Sequence, residues 1–242
     1  MEAMIFAAGL GTRLYPLTAD RPKALVEVNG ITLLQRCISR LTQYGFNRIV
    51  INIHHHADKV IDFVRCHNFN AEIVFSDERN LLLDTGGGLK KASKLFTENT
   101  PILIHNVDVL SDINLADLYN YHCQNNALAT LAVAERDTSR YLLFDKEKNL
   151  CGWTNRKTGE TIWAKDCNDN ATPLAFSGIH VVNPQLATLL PPESSYPIIP
   201  QYLEIAQHNT IKAYLHVADQ WLDVGKPEAL AKAETFVIEH HQ

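Results

Sequence analysis

No stretch of this 242-residue chain is long and apolar enough to cross a bilayer. The N-terminus lacks a charged segment followed by an apolar core of the secretory kind. Positive charge is not in excess. The formal net charge is −5, which argues against a face built to offset nucleic-acid phosphates along its length, though a local basic site is still allowed. C-x-x-C spacing is missing as well. The five cysteines, Cys37, Cys66, Cys123, Cys151 and Cys167, are odd in number and scattered, so they are expected to stay reduced in a cytosol and to pack as small apolar groups. There are no internal repeats and no low-complexity tract. No Ser-His-Asp or Cys-His arrangement stands out, so nothing points to a covalent nucleophile supplied by the protein. What remains is an ordinary globular composition, 46% hydrophobic and 20% charged, in a chain of the size of one large α/β domain. The expectation is one cytoplasmic domain over residues 1–242, with halves meeting near 126–127.

Against these absences, residues 4–25 stand out. A short apolar run, Met4 to Ala8, breaks into Gly9-Leu10-Gly11, followed by Thr12, Arg13 and, after Pro16 and Pro22, Lys23. Small residues and glycines let a backbone bend tightly and come close to a ligand. Two fixed positive charges beside exposed backbone N–H groups then form a cradle for phosphates.

Taken in order, the chain alternates. Residues 4–8 read as a buried strand, and residues 32–44 as a helix with Leu34, Ile38 and Leu41 inward and Gly45 as its stop. Strands follow at 48–52, 71–75 and 101–105, with a helix at 57–66 between the first two. Residues 84–88, Asp-Thr-Gly-Gly-Gly, read as a second glycine loop leading into a helix with Leu89, Ala92 and Leu95. This alternation predicts a mostly parallel sheet with right-handed crossovers. Ligands then bind beyond the carboxyl ends of the strands, where Gly9, Gly11, Thr85, Gly86, Gly87 and Asp108 all fall. Residues 136–172, rich in charge, Asn, Lys and Gly, predict a small antiparallel insertion. Alternation resumes with a strand at 175–182, a helix at 198–207, a strand at 211–217 and a closing helix at 227–239 begun by Pro227.

The run Ala8-Gly9-Leu10-Gly11-Thr12-Arg13-Leu14, then Pro16-Leu17-Thr18, then Pro22-Lys23-Ala24-Leu25 resembles the signature of sugar-1-phosphate nucleotidylyltransferases. Asn106-Val107-Asp108 and Trp221-Leu222-Asp223-Val224-Gly225 are similar to that family's two metal-binding segments. Residues 84–88 and Phe176-Ser177-Gly178-Ile179 look most like its N-acetylmuramate-1-phosphate uridylyltransferase branch, with small mannose-1-phosphate guanylyltransferases close behind. The resemblance implies a Rossmann-like three-layer fold and a set of roles. Ala8, Gly9, Gly11, Thr12 and Arg13 would hold the nucleoside and phosphates, and Thr85, Gly86 and Gly87 would approach the base. Arg13 and Lys23 would act on the phosphates in catalysis. Asn106, Ser177 and Gly178, with Lys23, would face the sugar phosphate, and Asp108 and Asp223 would bind Mg²⁺. Implied substrates are an NTP, UTP first, and a sugar 1-phosphate, with no nucleic acid or membrane partner; whether the protein is a monomer or a dimer is left open.

Two departures from the family pattern are visible. Val107 stands where the family usually has Gly, so its side chain must point away from the nucleotide. A Glu-Lys-Pro triplet is absent between 136 and 176, which disfavours a hexose-1-phosphate thymidylyltransferase. Plainer readings compete residue by residue. Gly9 and Gly11 alone could be an ordinary strand–helix turn, Asp108 a helix cap, and Asp223 a surface carboxylate. The three histidines 54–56 read as a turn after the second strand, with one of them a candidate to line the cleft, since consecutive side chains on a strand end alternate in direction and do not share one metal ion. His240 and His241 read as a solvated tail, and Trp153 and Trp163 as packing residues. A dinucleotide-binding loop would need a third glycine where Leu14 stands, and is rejected. A non-catalytic nucleotide sensor is the remaining alternative, disfavoured because both Asp108 and Asp223 are present.

Overall fold

The structure, a computed structural model, describes residues 1–167, 170–218 and 221–240. The chain runs β1 (Glu2–Phe6), β2 (Glu27–Val28), β3 (Ile31–Thr32), α1 (Leu33–Gln43), β4 (Arg48–Ile53), α2 (Ala57–Arg65), β5 (Glu72–Asp77) and α3 (Asp84–Ala92). It continues with β6 (Ile102–Asn106), β7 (Val109–Ser111), α4 (Leu115–Gln124), β8 (Ala129–Ala134), β9 (Arg140–Phe144), β10 (Leu150–Asn155) and β11 (Glu160–Trp163). It closes with β12 (Thr172–Val182), α5 (Leu186–Leu189), α6 (Ile198–Ala206), β13 (Ile211–Leu215), β14 (Trp221–Asp223) and α7 (Pro227–Glu239).

The central sheet follows from strands that carry consecutive apolar residues. Met4 and Ile5, Val50 and Ile51, and Leu103 and Ile104 are each fully buried although successive side chains point to opposite faces. Such strands must be covered on both sides. One face packs against α1, α2, α4 and α7 through Ile38, Val60, Leu118 and Phe236. The other packs against α3, α5 and α6 through Leu89, Leu186 and Tyr202. Three layers result. Thr32 caps α1, its side chain accepting the Gln35 N–H at 3.1 Å, and Gly45 follows the helix with φ +83°.

The strand order across the sheet is β5-β4-β1-β6-β12-β8-β13, with β12 alone antiparallel to its neighbours. The predicted mostly parallel sheet is present. The predicted insertion is the antiparallel layer β9-β10-β11, joined to the sheet where β9 pairs with the first residues of β12. The eleven-residue β12 thus belongs to both layers. Its pairing with β8 is irregular between Phe176 and His180.

Order reverses at β1. From there the chain goes outward through β4 and β5, then returns to β6 on the other side of β1. A switch of this kind opens a crevice beyond the carboxyl ends of the two strands, and residues 7–14 and 106–108 leave the sheet at that point.

Two expectations are corrected. Residues 84–88 are not a loop but the first turns of α3. Glycine is a poor helix former, and tertiary contacts described below override the propensity. The cysteines do not all stay single: Cys151 and Cys167 are joined in a disulfide with Cα atoms 6.2 Å apart. Residues in β10 and just beyond β11 are brought together by that hairpin, a pairing that scattered sequence positions did not reveal. Cys37, Cys66 and Cys123 are free. No described helix is long and apolar enough to cross a membrane.

Candidate active site

Beyond the carboxyl ends of β1 and β6 lies a cavity of about 280 Å³. Its walls are residues 6–9 after β1, Lys23, Asn52 at the end of β4, residues 106–108, and Leu82, Asp84 and Thr85 at the start of α3, with Ser195 opposite.

The first wall is a turn that ends in Gly11, whose φ of +66° suits glycine. A Cβ there would also stand 3.0 Å from Lys23 and from Thr18, and the Thr18 hydroxyl donates to the Gly11 carbonyl at 3.0 Å. At the start of the turn, the N–H groups of Ala7 and Ala8 are already taken, both donating to Asn52 Oδ1 at 2.7 and 3.2 Å. Ala8, expected to offer its backbone to a ligand, therefore has no N–H to give. From Gly9 onward the opposite holds. No acceptor among the described residues takes the N–H of Gly9, Leu10, Gly11, Thr12 or Arg13. Gly9 has nothing within 4 Å of where a Cβ would be. Successive open N–H groups beside positive charge make an anion-binding concavity.

Lys23 and Asp108, far apart in sequence, form a partly buried ion pair through Nζ and Oδ2. Asp223 is delivered to the same place by the short ribbon β14–β7. There Asp223 stands opposite Val109, and the Val224 N–H donates to the Asp108 carbonyl at 2.8 Å. Asp223 Oδ1 accepts the Gly225 N–H at 2.7 Å. A Cβ at Gly225 would lie 2.6 Å from both an Arg13 guanidinium nitrogen and Asp223 Oδ1, so the Arg13 side chain lies against Gly225, and it does not line the cavity. Two carboxylates on adjacent strand ends suit a hard cation that takes its remaining ligands from phosphates and water. They do not suit an all-protein cage: no group of three or more His, Cys, Asp or Glu side chains able to hold a metal occurs among the described residues.

A profile of the nucleotidyl transferase family matches residues 2–240. The chain is 32% identical to an N-acetylmuramate alpha-1-phosphate uridylyltransferase of Caulobacter vibrioides, over 98% of this chain and 97% of that one. It belongs to the nucleotidyl transferase family. A mannose-1-phosphate guanyltransferase of Pichia angusta is 27% identical, with 94% of this chain matching 62% of that protein. Among solved structures, a UDP-glucose pyrophosphorylase from Acinetobacter baumanii superposes with a TM-score of 0.79 at 15% identity, over 99% of this chain and 94% of that one. That likeness concerns the fold alone.

Within this nucleotidyl transferase the other expected residues are distributed unevenly. Thr85 lines the cavity, while its Oγ1 accepts the Ile198 N–H at 3.0 Å. Gly86 and Gly87 do not offer their N–H groups to a base, because both donate to the Tyr196 carbonyl, at 2.9 and 3.4 Å. A Cβ on Gly86 would meet the Tyr196 ring at 2.4 Å, and one on Gly87 the Ser194 carbonyl at 1.9 Å. These glycines let residues 194–196 lie directly on α3. Asn106 lines the cavity and abuts Gly178, which has φ +72° and room for no Cβ, since Asn106 Nδ2 would be 2.6 Å away. Ser177 does not face a ligand. It is fully buried, its hydroxyl 2.7 Å from His216 Nε2. His216 Nδ1 donates to the Val217 carbonyl at 2.7 Å, which leaves Nε2 to accept from Ser177, and burial lowers the imidazole pKa. The Ser177 carbonyl accepts the Trp221 indole N–H at 2.7 Å, and Arg136 stacks over that indole at 3.8 Å. Ser177 thus braces the irregular part of β12 against the strand that carries Asp223.

Val107 is 4% exposed, with its side chain in the core cluster on the α1 face. Its side chain therefore packs into the core, as expected, while residue 107 itself forms part of the cavity wall. None of the histidines 54–56 lines the cavity; His54 Nδ1 donates to the Glu78 carbonyl at 2.7 Å. His240 packs on Phe236 with ring centroids 4.2 Å apart, and His241 lies outside the described residues. Two cavity-side residues escaped sequence reasoning, Asn52 and Glu78. Their only signal was position, at or just past the carboxyl ends of β4 and β5.

Proposed function

We propose that this nucleotidyl transferase moves a nucleotidyl group from an NTP to a sugar 1-phosphate and releases pyrophosphate. The observation that carries the reading is the run of open N–H groups from Gly9 to Arg13 leading to the Lys23–Asp108 pair. These N–H groups would take oxygens of the triphosphate. The Arg13 charge lies at the outer end of the run, against Gly225, where the leaving pyrophosphate would sit. Lys23, buried next to Asp108, would neutralise charge between the α-phosphate and the incoming sugar phosphate. A phosphate oxygen of the sugar 1-phosphate then attacks the α-phosphorus in line, and the bond to the β-phosphate oxygen breaks. Asp108 and Asp223 would hold Mg²⁺, which when bound offsets phosphate charge. Positioning and electrostatics do the remaining work.

The finer assignment is UTP with N-acetylmuramate 1-phosphate. Its support is the 32% identical relative matched over nearly the full length of both chains. The test is pyrophosphate release across a matrix of NTPs against muramate, glucosamine, mannose and glucose 1-phosphates, with and without a chelator. The expected outcome is turnover that needs divalent metal and is fastest with UTP and N-acetylmuramate 1-phosphate. Preference for GTP with mannose 1-phosphate would transfer the assignment to the guanylyltransferase reading. NTP binding without pyrophosphate release from any pair would leave a nucleotide sensor.

A further inference from the structure

Glu78 is 1% exposed, and no lysine or arginine among the described residues forms an ion pair with it. Burial raises its pKa, so the site it occupies does not reward a carboxylate for its charge. What the carboxylate has is two donors, from two different walls of the candidate cavity. Oε1 accepts Asn52 Nδ2–H at 2.8 Å, and Oε2 accepts the Leu83 N–H at 3.1 Å. Asn52, 3% exposed, passes the connection on. Its Oδ1 holds the N–H groups of Ala7 and Ala8.

A carboxylate can only accept. Facing Asn52, it fixes which way the amide points: nitrogen toward Glu78, oxygen toward the end of β1. A chain of hydrogen bonds then runs from Leu83, beside the Leu82–Thr85 wall, through Glu78 and Asn52 to the wall at residues 7–9. Gly88 fits this account. A Cβ there would stand 2.9 Å from Glu78 Oε1 and 3.1 Å from Asn52 Nδ2, so the third glycine of α3 makes room for the pair.

We infer that Glu78 and Asn52 are positioning residues that set the separation of the two cavity walls and the point, Gly9, at which open N–H groups begin. They act on the nucleotide rather than on the sugar phosphate. The inference rests on the nucleotide lying in this cavity, as proposed above. Neither residue touches the reacting atoms in this account.

The test uses the full chain and two measurements: NTP affinity by calorimetry without sugar phosphate, and the KM of each substrate in pyrophosphate release. Glu78→Gln keeps the volume but cannot accept at both oxygens, so one bond to a charged acceptor is lost. NTP binding should weaken about tenfold or more, while the KM for sugar 1-phosphate stays within about twofold. Gly88→Ala pushes on the same pair from inside a helix, where alanine is the better helix former. It should weaken NTP binding about three- to tenfold, and it carries the test should Glu78→Gln fail to fold. Unchanged NTP affinity in a folded variant would overturn the inference, as would parallel rises in both KM values, the mark of general loosening. Wild-type protein that binds no NTP would instead overturn the nucleotide reading on which this one rests.

Discussion

Two glycine runs lie close to the same cavity, which Gly9 lines and Gly86 and Gly87 do not, and they use the residue in opposite ways. Around Gly9 and Gly11 the backbone is open: Gly9 has empty space where a Cβ would be, and the N–H groups from Gly9 to Arg13 have no acceptor among the described residues. Around Gly86 and Gly87 the space is filled by Tyr196 and Ser194, and the N–H groups are spent on the Tyr196 carbonyl. The first run leaves space and N–H groups open. The second removes side chains so that two protein segments can touch. Only surroundings separate a glycine with open space beside it from one covered by another segment.

The contrast can be broken by alanine at each run. Gly87→Ala carries the largest expected effect. Its Cβ would fall 1.9 Å from a backbone oxygen, so residues 194–196 must move, at a cost of about 3 kcal/mol or more in unfolding free energy measured by urea titration. Gly9→Ala should leave that free energy within about 0.5 kcal/mol, because nothing stands near the new methyl group. It should instead weaken NTP binding about tenfold, read by calorimetry, since the methyl occupies the approach to the open N–H groups. Equal stability losses in the two variants would erase the distinction.

Acid provides a smaller effect, one that sharpens the comparison by acting on the fold rather than on either run. Burial lowers the pKa of His105 to about 4 and of His180 to about 3, from an ordinary value of 6.5. Folded-state values lie below unfolded ones, so the unfolded chain binds protons first as pH falls. Above the unfolded pKa both imidazoles are neutral in either state and cost nothing. Below it, stability is lost progressively until the folded-state values are reached. The slope from the two together should approach roughly 3 kcal/mol per pH unit in that window, measured by denaturation between neutral pH and pH 4. His180→Phe should remove about half of it, because neither ring nitrogen of His180 has a partner to lose.

Much of the fold was legible in sequence. Runs such as Ile49–Ile51 and Ile102–Ile104 are apolar at every position, which forces cover on both faces, and Pro227 and Gly45 mark helix ends where they stand. The glycine turn after β1 was legible too, from Gly9 and Gly11, as were two carboxylates at strand ends, Asp108 and Asp223. What could not be read was how tertiary neighbours use a group. Gly86 and Gly87 stand in a helix where residues 194–196, over 100 positions away, need the space. Ala8 gives up its N–H to Asn52, and Ser177 turns inward to His216, because buried polar groups must find partners. Neither partner is near in sequence. The Cys151–Cys167 bond depends likewise on a hairpin whose pairing sets the distance.

The central claim is that phosphate is held on the open backbone after β1 and not on the glycines of α3. Amide chemical-shift mapping on ¹⁵N-labelled protein tests this most directly, by titrating UTP with Mg²⁺. The account predicts that the N–H resonances of Gly9, Leu10, Gly11 and Thr12 move most, while those of Gly86 and Gly87, already bonded to Tyr196, move little. Large shifts at Gly86 and Gly87 with residues 9–12 unmoved would contradict it.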